Sequence, residues 1–432
     1  MAFNFKNFYQ FVYYSFIKQK RTHHHLSLKR ILVLSVFFPV YILLEICVWI
    51  SLGLDQLIFP NFKKQKTEQP VFIIGNPRSG TTFLYQTMAR DEKRFSFFRT
   101  WEIVLSPSII QRKFYWLLAA GFKRLTFLFP NLSKILKKIS IGNERMHKID
   151  PFAPEEDGYT LMHIFATIGL WAYSVPFEIM QKYIYFDEQL PDFEKKSIMD
   201  FYEGIIRRHL FAYGGNKQLL SKTPFFTPKI TSLVKKFPDA RFIYLVRNPL
   251  EMIPSQISLM TYCWKTLAGI SQKYIFQEET ISMARYWYQY AFKALAELSD
   301  EQVFIVQYDC LHEDPAKCIQ SIYKHFGYEI NTEFKNILVK ETENAQSYKS
   351  RHRYSLREMG LSKRRILKEF QEVFLKFDFK VSSERQKEVL IEKAIGRNAL
   401  SKKLHLRKRI LQQIPWRKKR KRYTQGLQYP VM

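Results

Sequence analysis

Cysteine is scarce: Cys47, Cys263, Cys310 and Cys318 are the only four in 432 residues. They are too few and too scattered for a disulfide framework, and no CxxC pair or Cys/His metal spacing occurs, which suits a reducing compartment. Acid is short as well. There are 39 Asp and Glu against 68 Lys and Arg, a net charge of +29. Such an excess points to anionic partners: nucleic acid, an acidic membrane surface, or small molecules bearing phosphate or sulfate. No internal repeat is evident, and the run His23–His25 has no second ligand group at a helical or finger spacing. Hydrophobic residues make up 47% and aromatics 16%, so most of the chain is folded rather than disordered.

Residues 1–69 form a basic, aromatic N-terminus, an apolar stretch and a linker. The stretch, residues 31–54, reads ILVLSVFFPVYILLEICVWISLGL. It is long enough for a bilayer, which takes about 20 apolar residues. Glu45 and Pro39 oppose a span, because a carboxylate at membrane depth is costly and a proline kinks a helix. Lysine and arginine flank both sides, so the positive-inside rule assigns no orientation. The run starts too late and is too long for a cleaved signal peptide. It is predicted to be an interfacial or membrane-embedded anchor, with an ordinary core helix as the alternative. Residues 381–432 are a basic extension that includes Trp416–Tyr423 (WRKKRKRY), which reads either as a solvated, partly disordered tail or, the favoured reading, as an attachment to anionic lipid with the two aromatics at the interface. Together these predict a membrane-associated protein on the cytoplasmic face.

Residues 70–380 read as the main domain. Apolar runs at 71–74, 218–221, 241–246 and 302–307 alternate with amphipathic stretches at Phe226–Phe237, Pro249–Cys263 and Ile281–Leu298. Strands alternating with helices predict an α/β fold: a P-loop-type central parallel sheet flanked by helices. Residues 103–215 are predicted to be a helical acceptor or lid region. Within it, 159–177 reads as a buried lid or acceptor-pocket helix.

The run Val71-Phe-Ile-Ile-Gly75 leads into Asn76-Pro77-Arg78-Ser79-Gly80-Thr81-Thr82. A strand that turns into a helix presents unpaired N–H groups and a partial positive charge to an anion. Gly75 and Gly80 let the backbone wrap closely, and the two threonines supply hydroxyls. Gly75 to Gly80 has the spacing of GxxxxGK[ST], but Thr81 stands where a magnesium-dependent NTPase has its lysine, and the nearest cation is Arg78. A second strand runs into Arg247, with Ser255 eight residues on. An arginine at a strand end pairs bidentately with phosphate.

PRSGTT resembles the 5′-phosphosulfate loop of sulfotransferases that use 3′-phosphoadenosine 5′-phosphosulfate (PAPS), and Arg247–Ser255 resembles their 3′-phosphate site, RxPxxxxxS. The nearest likeness is to the bacterial-type family, through a TWE-like segment, Pro154–Asp157, Lys222-Thr-Pro and His352–Leu361. It covers roughly residues 70–380. The resemblance implies cofactor contacts by Pro77, Arg78, Ser79, Gly80, Thr81, Thr82, Arg247 and Ser255, with Tyr308 near the adenine and Lys222 near the transferred group. It implies PAPS as co-substrate and no metal.

Sulfuryl transfer by in-line displacement needs charge stabilisation, for which Arg78, the loop amides and Lys222 are candidates, and a base. Cytosolic relatives have a histidine three residues after the lysine, where this chain has Phe225. Glu102 is therefore the predicted base, since carboxylate-using relatives carry theirs in that region; it reads equally as a helix-terminal or salt-bridging carboxylate. Glu155, Glu156, Asp157 and His163 follow. The expected acceptor is a hydroxyl or amine, on a lipid or other hydrophobic molecule. Two alternatives are a P-loop nucleotide kinase or NTPase and a non-enzymatic membrane or nucleic-acid binder. Neither accounts for two phosphate sites in this order, and no nucleic-acid partner is expected.

Overall fold

The apolar runs become strands of one parallel sheet. In the computed structural model, which describes residues 3–16, 28–128, 150–169, 177–265, 272–347 and 355–379, these are β1 (Val71–Gly75), β2 (Phe95–Ser96), β3 (Gln218–Lys222), β4 (Arg241–Val246) and β5 (Val303–Gln307). All neighbours pair parallel, in the order β2-β3-β1-β4-β5. Four of the five stand where the apolar runs predict them. β2 has two residues, too short to show a period. The basic extension 381–432 lies outside the described residues, as do His352 and Tyr354.

Every residue of β1 is buried. The pleat sends Phe72 and Ile74 into one core and Val71 and Ile73 into another. β4 follows the same rule, with Phe242, Tyr244 and Val246 on the first face and Ile243 and Leu245 on the second. Both faces must therefore be covered by helices, as a buried parallel sheet requires.

The helices needed below are α1 (Phe5–Phe16), α2 (Leu28–Ile58), α3 (Thr81–Met88), α4 (Thr100–Val104), α5 (Ile109–Leu128), α6 (Asp192–Ala212), α7 (Pro249–Cys263), α8 (Gln277–Ala296) and α9 (Pro315–Phe326). Local sequence sets their starts. Asn248 Oδ1 accepts from Leu250 N at 3.0 Å with Pro249 in the first turn of α7, and Asp314 Oδ1 accepts from Lys317 N at 2.9 Å ahead of α9. Helices α6, α7 and α8 pack on the first core, α3 and α9 on the second.

Two elements differ from expectation. The stretch 159–177 is not one helix: Asp157–Ile164 is a buried 3₁₀ segment that stops where Phe165 turns left-handed, at φ 51°. The apolar run at 31–54 is part of the longer α2, whose Glu45 is buried against the domain.

Candidate active site

In a parallel sheet ligands collect beyond the C-terminal strand ends, at the point where the strand order reverses. Here that point is β1, with β3 on one side and β4 on the other. Gly75 ends β1 at φ 146°, and a Cβ there would sit 2.5 Å from the Leu245 carbonyl oxygen of β4. No other residue fits that approach. Thr227 Oγ1 accepts from Gly75 N at 3.0 Å and donates to Gly75 O at 3.1 Å, pinning the start of the loop. Pro77 follows, then Arg78 in the left-handed region at φ 69°, the fully buried Ser79, and Gly80 at φ 91°. Gly80 is the residue before α3, so the amides at Thr81 and Thr82 open into the loop.

The second cationic element reaches the same place. Arg247, directly after β4, donates from Nη1 to the Arg78 carbonyl at 3.0 Å. Its guanidinium carbon lies 4.0 Å from the ring centre of Tyr308, directly after β5. Tyr288 of α8 donates to the Arg247 carbonyl at 2.8 Å. Arg78 Nε donates to Ser255 Oγ of α7 at 2.9 Å. A Cβ on Gly80 would stand 2.8 Å from Tyr308 Cδ2, so the bare glycine is what lets the loop and that ring pack together. Arg247 pairs with Glu251 at 3.1 Å, whereas Arg78 has no ion pair among the described residues. A cation beside helix amides and without a carboxylate is suited to an external anion.

Lys222 closes β3. Its side chain is 2% exposed, and Nζ donates to Glu156 Oε1 at 2.7 Å and to Thr82 Oγ1 at 3.3 Å. Glu156 precedes the 3₁₀ segment, which Asp157 holds in place. The Asp157 carboxylate accepts from Tyr202, from Ser221 at 2.8 Å and from Thr223 at 3.1 Å. Burial pushes this carboxyl up from its ordinary value, and the three hydroxyl donors oppose that shift. With its donors all internal, Asp157 positions its neighbours.

Glu102 belongs to another arrangement. It is fully buried, Oε2 accepts from Arg99 N at 2.8 Å at the start of α4, and Oε1 accepts from Tyr213 at 2.6 Å. Both oxygens are taken, and the carboxylate serves as the capping-box partner of a short helix. His163 is also engaged, with Nε2 on the Ile103 carbonyl at 2.8 Å and Nδ1 on Glu45 Oε1 at 2.9 Å. The structure thus gathers Arg78, Ser79, Gly80, Thr81, Thr82, Arg247, Ser255, Tyr308 and Lys222, and puts Glu156, not Glu102, against the lysine. Thr227 and Tyr288 are additions that sequence reading missed, because their partners are 152 and 41 residues away. A surface cavity of about 440 Å³ bordered by Asp91, Arg94 and Gln218 lies at the opposite end of β3 and takes no part.

A loop suited to an anion after β1, a second cation after β4 and an aromatic after β5 meet at one end of a P-loop-like parallel sheet. Residues 70–332 match the model of the Sulfotransferase family, and the chain belongs to that family. It is similar to the omega-hydroxy-beta-dihydromenaquinone-9 sulfotransferase Stf3 of Mycobacterium bovis and of Mycobacterium tuberculosis. Each is 21% identical over 270 residues, 60% of this chain and 63% of the relative. The chain thus spans less than two thirds of those relatives' length. The crystal structure of sulfotransferase STF9 from Mycobacterium avium shares the fold, at TM-score 0.62 and 18% identity over 77% of this chain and 83% of that one. So does STF1 from Mycobacterium tuberculosis, at TM-score 0.50 and 17% identity over 74% and 81%.

Proposed function

We propose that the chain transfers a sulfuryl group from PAPS to the hydroxyl, or an amine, of a hydrophobic membrane-resident acceptor. The observation that carries the donor assignment is the meeting of two cationic elements 169 residues apart, Arg247 on the Arg78 carbonyl at 3.0 Å. One molecule with phosphates at both ends of an adenosine suits that pairing, with the phosphosulfate on Arg78 and the α3 amides. Arg247 and Ser255 then take the 3′-phosphate, and Tyr308 lies beside the base.

The acceptor oxygen attacks sulfur as the bond from sulfur to the bridging phosphate oxygen breaks, and the electron pair leaves on 3′-phosphoadenosine 5′-phosphate. Lys222, beside Thr82 of the loop, stabilises the charge on the departing oxygen. The acceptor proton passes to Glu156, the carboxylate 2.7 Å from that ammonium. This assignment replaces Glu102, whose oxygens are committed to Arg99 and Tyr213. A lipid acceptor is supported by the menaquinone substrate in the relatives' name and by the apolar exterior of α2. Attachment through the basic extension 381–432 belongs to the same proposal.

The test incubates the purified chain with radiolabelled PAPS and extracted membrane lipids and identifies the labelled product. Binding of 3′-phosphoadenosine 5′-phosphate is compared with adenosine 5′-phosphate. A labelled lipid and a strong preference for the 3′-phosphate are expected; equal binding of the two nucleotides overturns the donor assignment.

A further inference from the structure

Helix α2 has two unlike faces. Its buried seam is Leu34, Phe38, Tyr41, Glu45, Val48, Leu52 and Asp55, at alternating steps of four and three residues. The domain grips this seam along its length. Tyr41 donates to the Met162 carbonyl at 3.1 Å, Glu45 meets His163 at 2.9 Å, and Trp49 Nε1 donates to the His163 carbonyl at 3.2 Å. Asp55 pairs with Arg208 at 3.0 Å and accepts from the first amides of α5, Ile109 N at 2.9 Å and Ile110 N at 3.0 Å. Among the described residues nothing covers the opposite face. Leu32, Val36, Val40, Leu43, Ile50 and Leu57 are 58–78% exposed. Between Ile31 and Ile58 the only charged side chains are Glu45 and Asp55, and both are in the seam. The neighbouring α5 extends the bare area with Phe114 and Leu117.

From residue 34 to residue 55 an α-helix covers about 31 Å, the full hydrocarbon thickness of about 30 Å. If α2 crossed a bilayer, Glu45, His163 and the Met162 carbonyl would lie at hydrocarbon depth on the domain side, with Arg208 and the polar start of α5 at its edge. Polar backbone and charge there are strongly opposed. Laid flat, the helix satisfies both faces at once, with the seam on the domain and the bare face in lipid. Cations border the patch at the C-terminal end of α2. Lys63 and Lys64 are exposed there, and Lys113 of α5 sits 4.6 Å from the ring of Phe59. With a chain charge of +29, the complementary surface is anionic.

We propose that α2 does not span but lies in the plane of the membrane, its bare face sunk in one leaflet of an anionic phospholipid bilayer and both its ends on the same side. This docking geometry is independent of the donor and acceptor assignment. It is tested on the full chain, reconstituted into vesicles of equal parts phosphatidylcholine and phosphatidylglycerol. Cys47, Cys263 and Cys310 are replaced by serine, and Leu28→Cys and Lys64→Cys are introduced together. An impermeant maleimide then labels intact vesicles, and mass spectrometry counts labels per chain. The expected result is two labels or none on each chain, whichever way it was inserted; one label per chain means the helix spans, and overturns the proposal.

In the chain with its native cysteines, Cys47, exposed on the bare face, reports what covers it. Its reactivity is expected to fall about tenfold when vesicles are added. Protection without vesicles that grows with protein concentration means a second copy covers the face. Protection in dilute, lipid-free protein means another segment of the chain does. Either result overturns the proposal, while binding of 3′-phosphoadenosine 5′-phosphate reports separately on the donor assignment.

Discussion

Glu156→Gln keeps the size of the side chain and deletes its charge, leaving Lys222 Nζ beside a neutral amide in place of the carboxylate now at 2.7 Å. The two side chains are 16% and 2% exposed, so little water replaces the lost partner. At that distance and an effective dielectric near 20 the gross attraction is about 6 kcal/mol, and breaking a buried pair from one side costs about 3–5 kcal/mol. The unliganded variant is expected to lose about 3 kcal/mol of stability. Donor restores much of it, because the phosphosulfate offers Lys222 a new counter-charge. Donor affinity therefore holds or rises while turnover falls by about 10²–10⁴, the usual contribution of a general base.

Glu102→Gln is the control. Its amide oxygen still accepts one hydrogen bond, and the change is expected to cost about 1 kcal/mol of stability and to leave turnover within about threefold. Initial rates with labelled donor, thermal unfolding with and without 3′-phosphoadenosine 5′-phosphate, and calorimetric donor affinity read the three quantities. An inactive Glu102→Gln beside an active Glu156→Gln refutes the assignment.

Arg247→Ala removes the cation proposed for the 3′-phosphate. Affinity for 3′-phosphoadenosine 5′-phosphate is expected to fall about 100-fold by calorimetry, with adenosine 5′-phosphate affected much less. Gly80→Ala forces a Cβ within 2.8 Å of Tyr308 Cδ2 at φ 91°, so the ring must leave Arg247; donor affinity is expected to drop about tenfold or more. Lys229 is fully buried, and burial lowers its pKa to about 7 from 10.5. The folded chain thus binds fewer protons than the unfolded one between those two values, and stability rises with pH across that window. Below it the cost is complete, roughly 5 kcal/mol. Lys229→Met should flatten the pH dependence of denaturant midpoints between pH 7 and 10 and raise stability most below pH 7, by less than that full amount because the bond to the Phe225 carbonyl is lost.

Much of the candidate site's layout was legible because each part follows directly on an apolar strand. PRSGTT follows β1, Arg247 follows β4 and Tyr308 follows β5, so local pattern and chemistry coincide. Glu102 shows where that stops. A carboxylate three residues after Arg99 looks the same in sequence whether it caps a helix or takes a proton, and only the contacts with Arg99 N and Tyr213 separate the two. The hydroxyl cluster on Asp157 draws on Tyr202, Ser221 and Thr223, residues 45 to 66 positions away, which no periodicity reveals. In α2 both faces are apolar, so the seam is hidden among like residues. Glu45 and Asp55 were the signal that could have marked it.

The sheet order has a consequence for biosynthesis. β1 is among the first strands to leave the ribosome, yet its neighbours β3 and β4 are made some 145 and 165 residues later, and Tyr308 follows β5. Until that residue has emerged, a growing polypeptide carries the PRSGTT turn and Arg247 without the ring that packs against both, and the proposed donor site is incomplete. On the proposed donor assignment, ligand-assisted maturation is confined to the last stretch of synthesis, and a chain truncated before residue 308 should be held by a nucleotide affinity resin more weakly than the full chain.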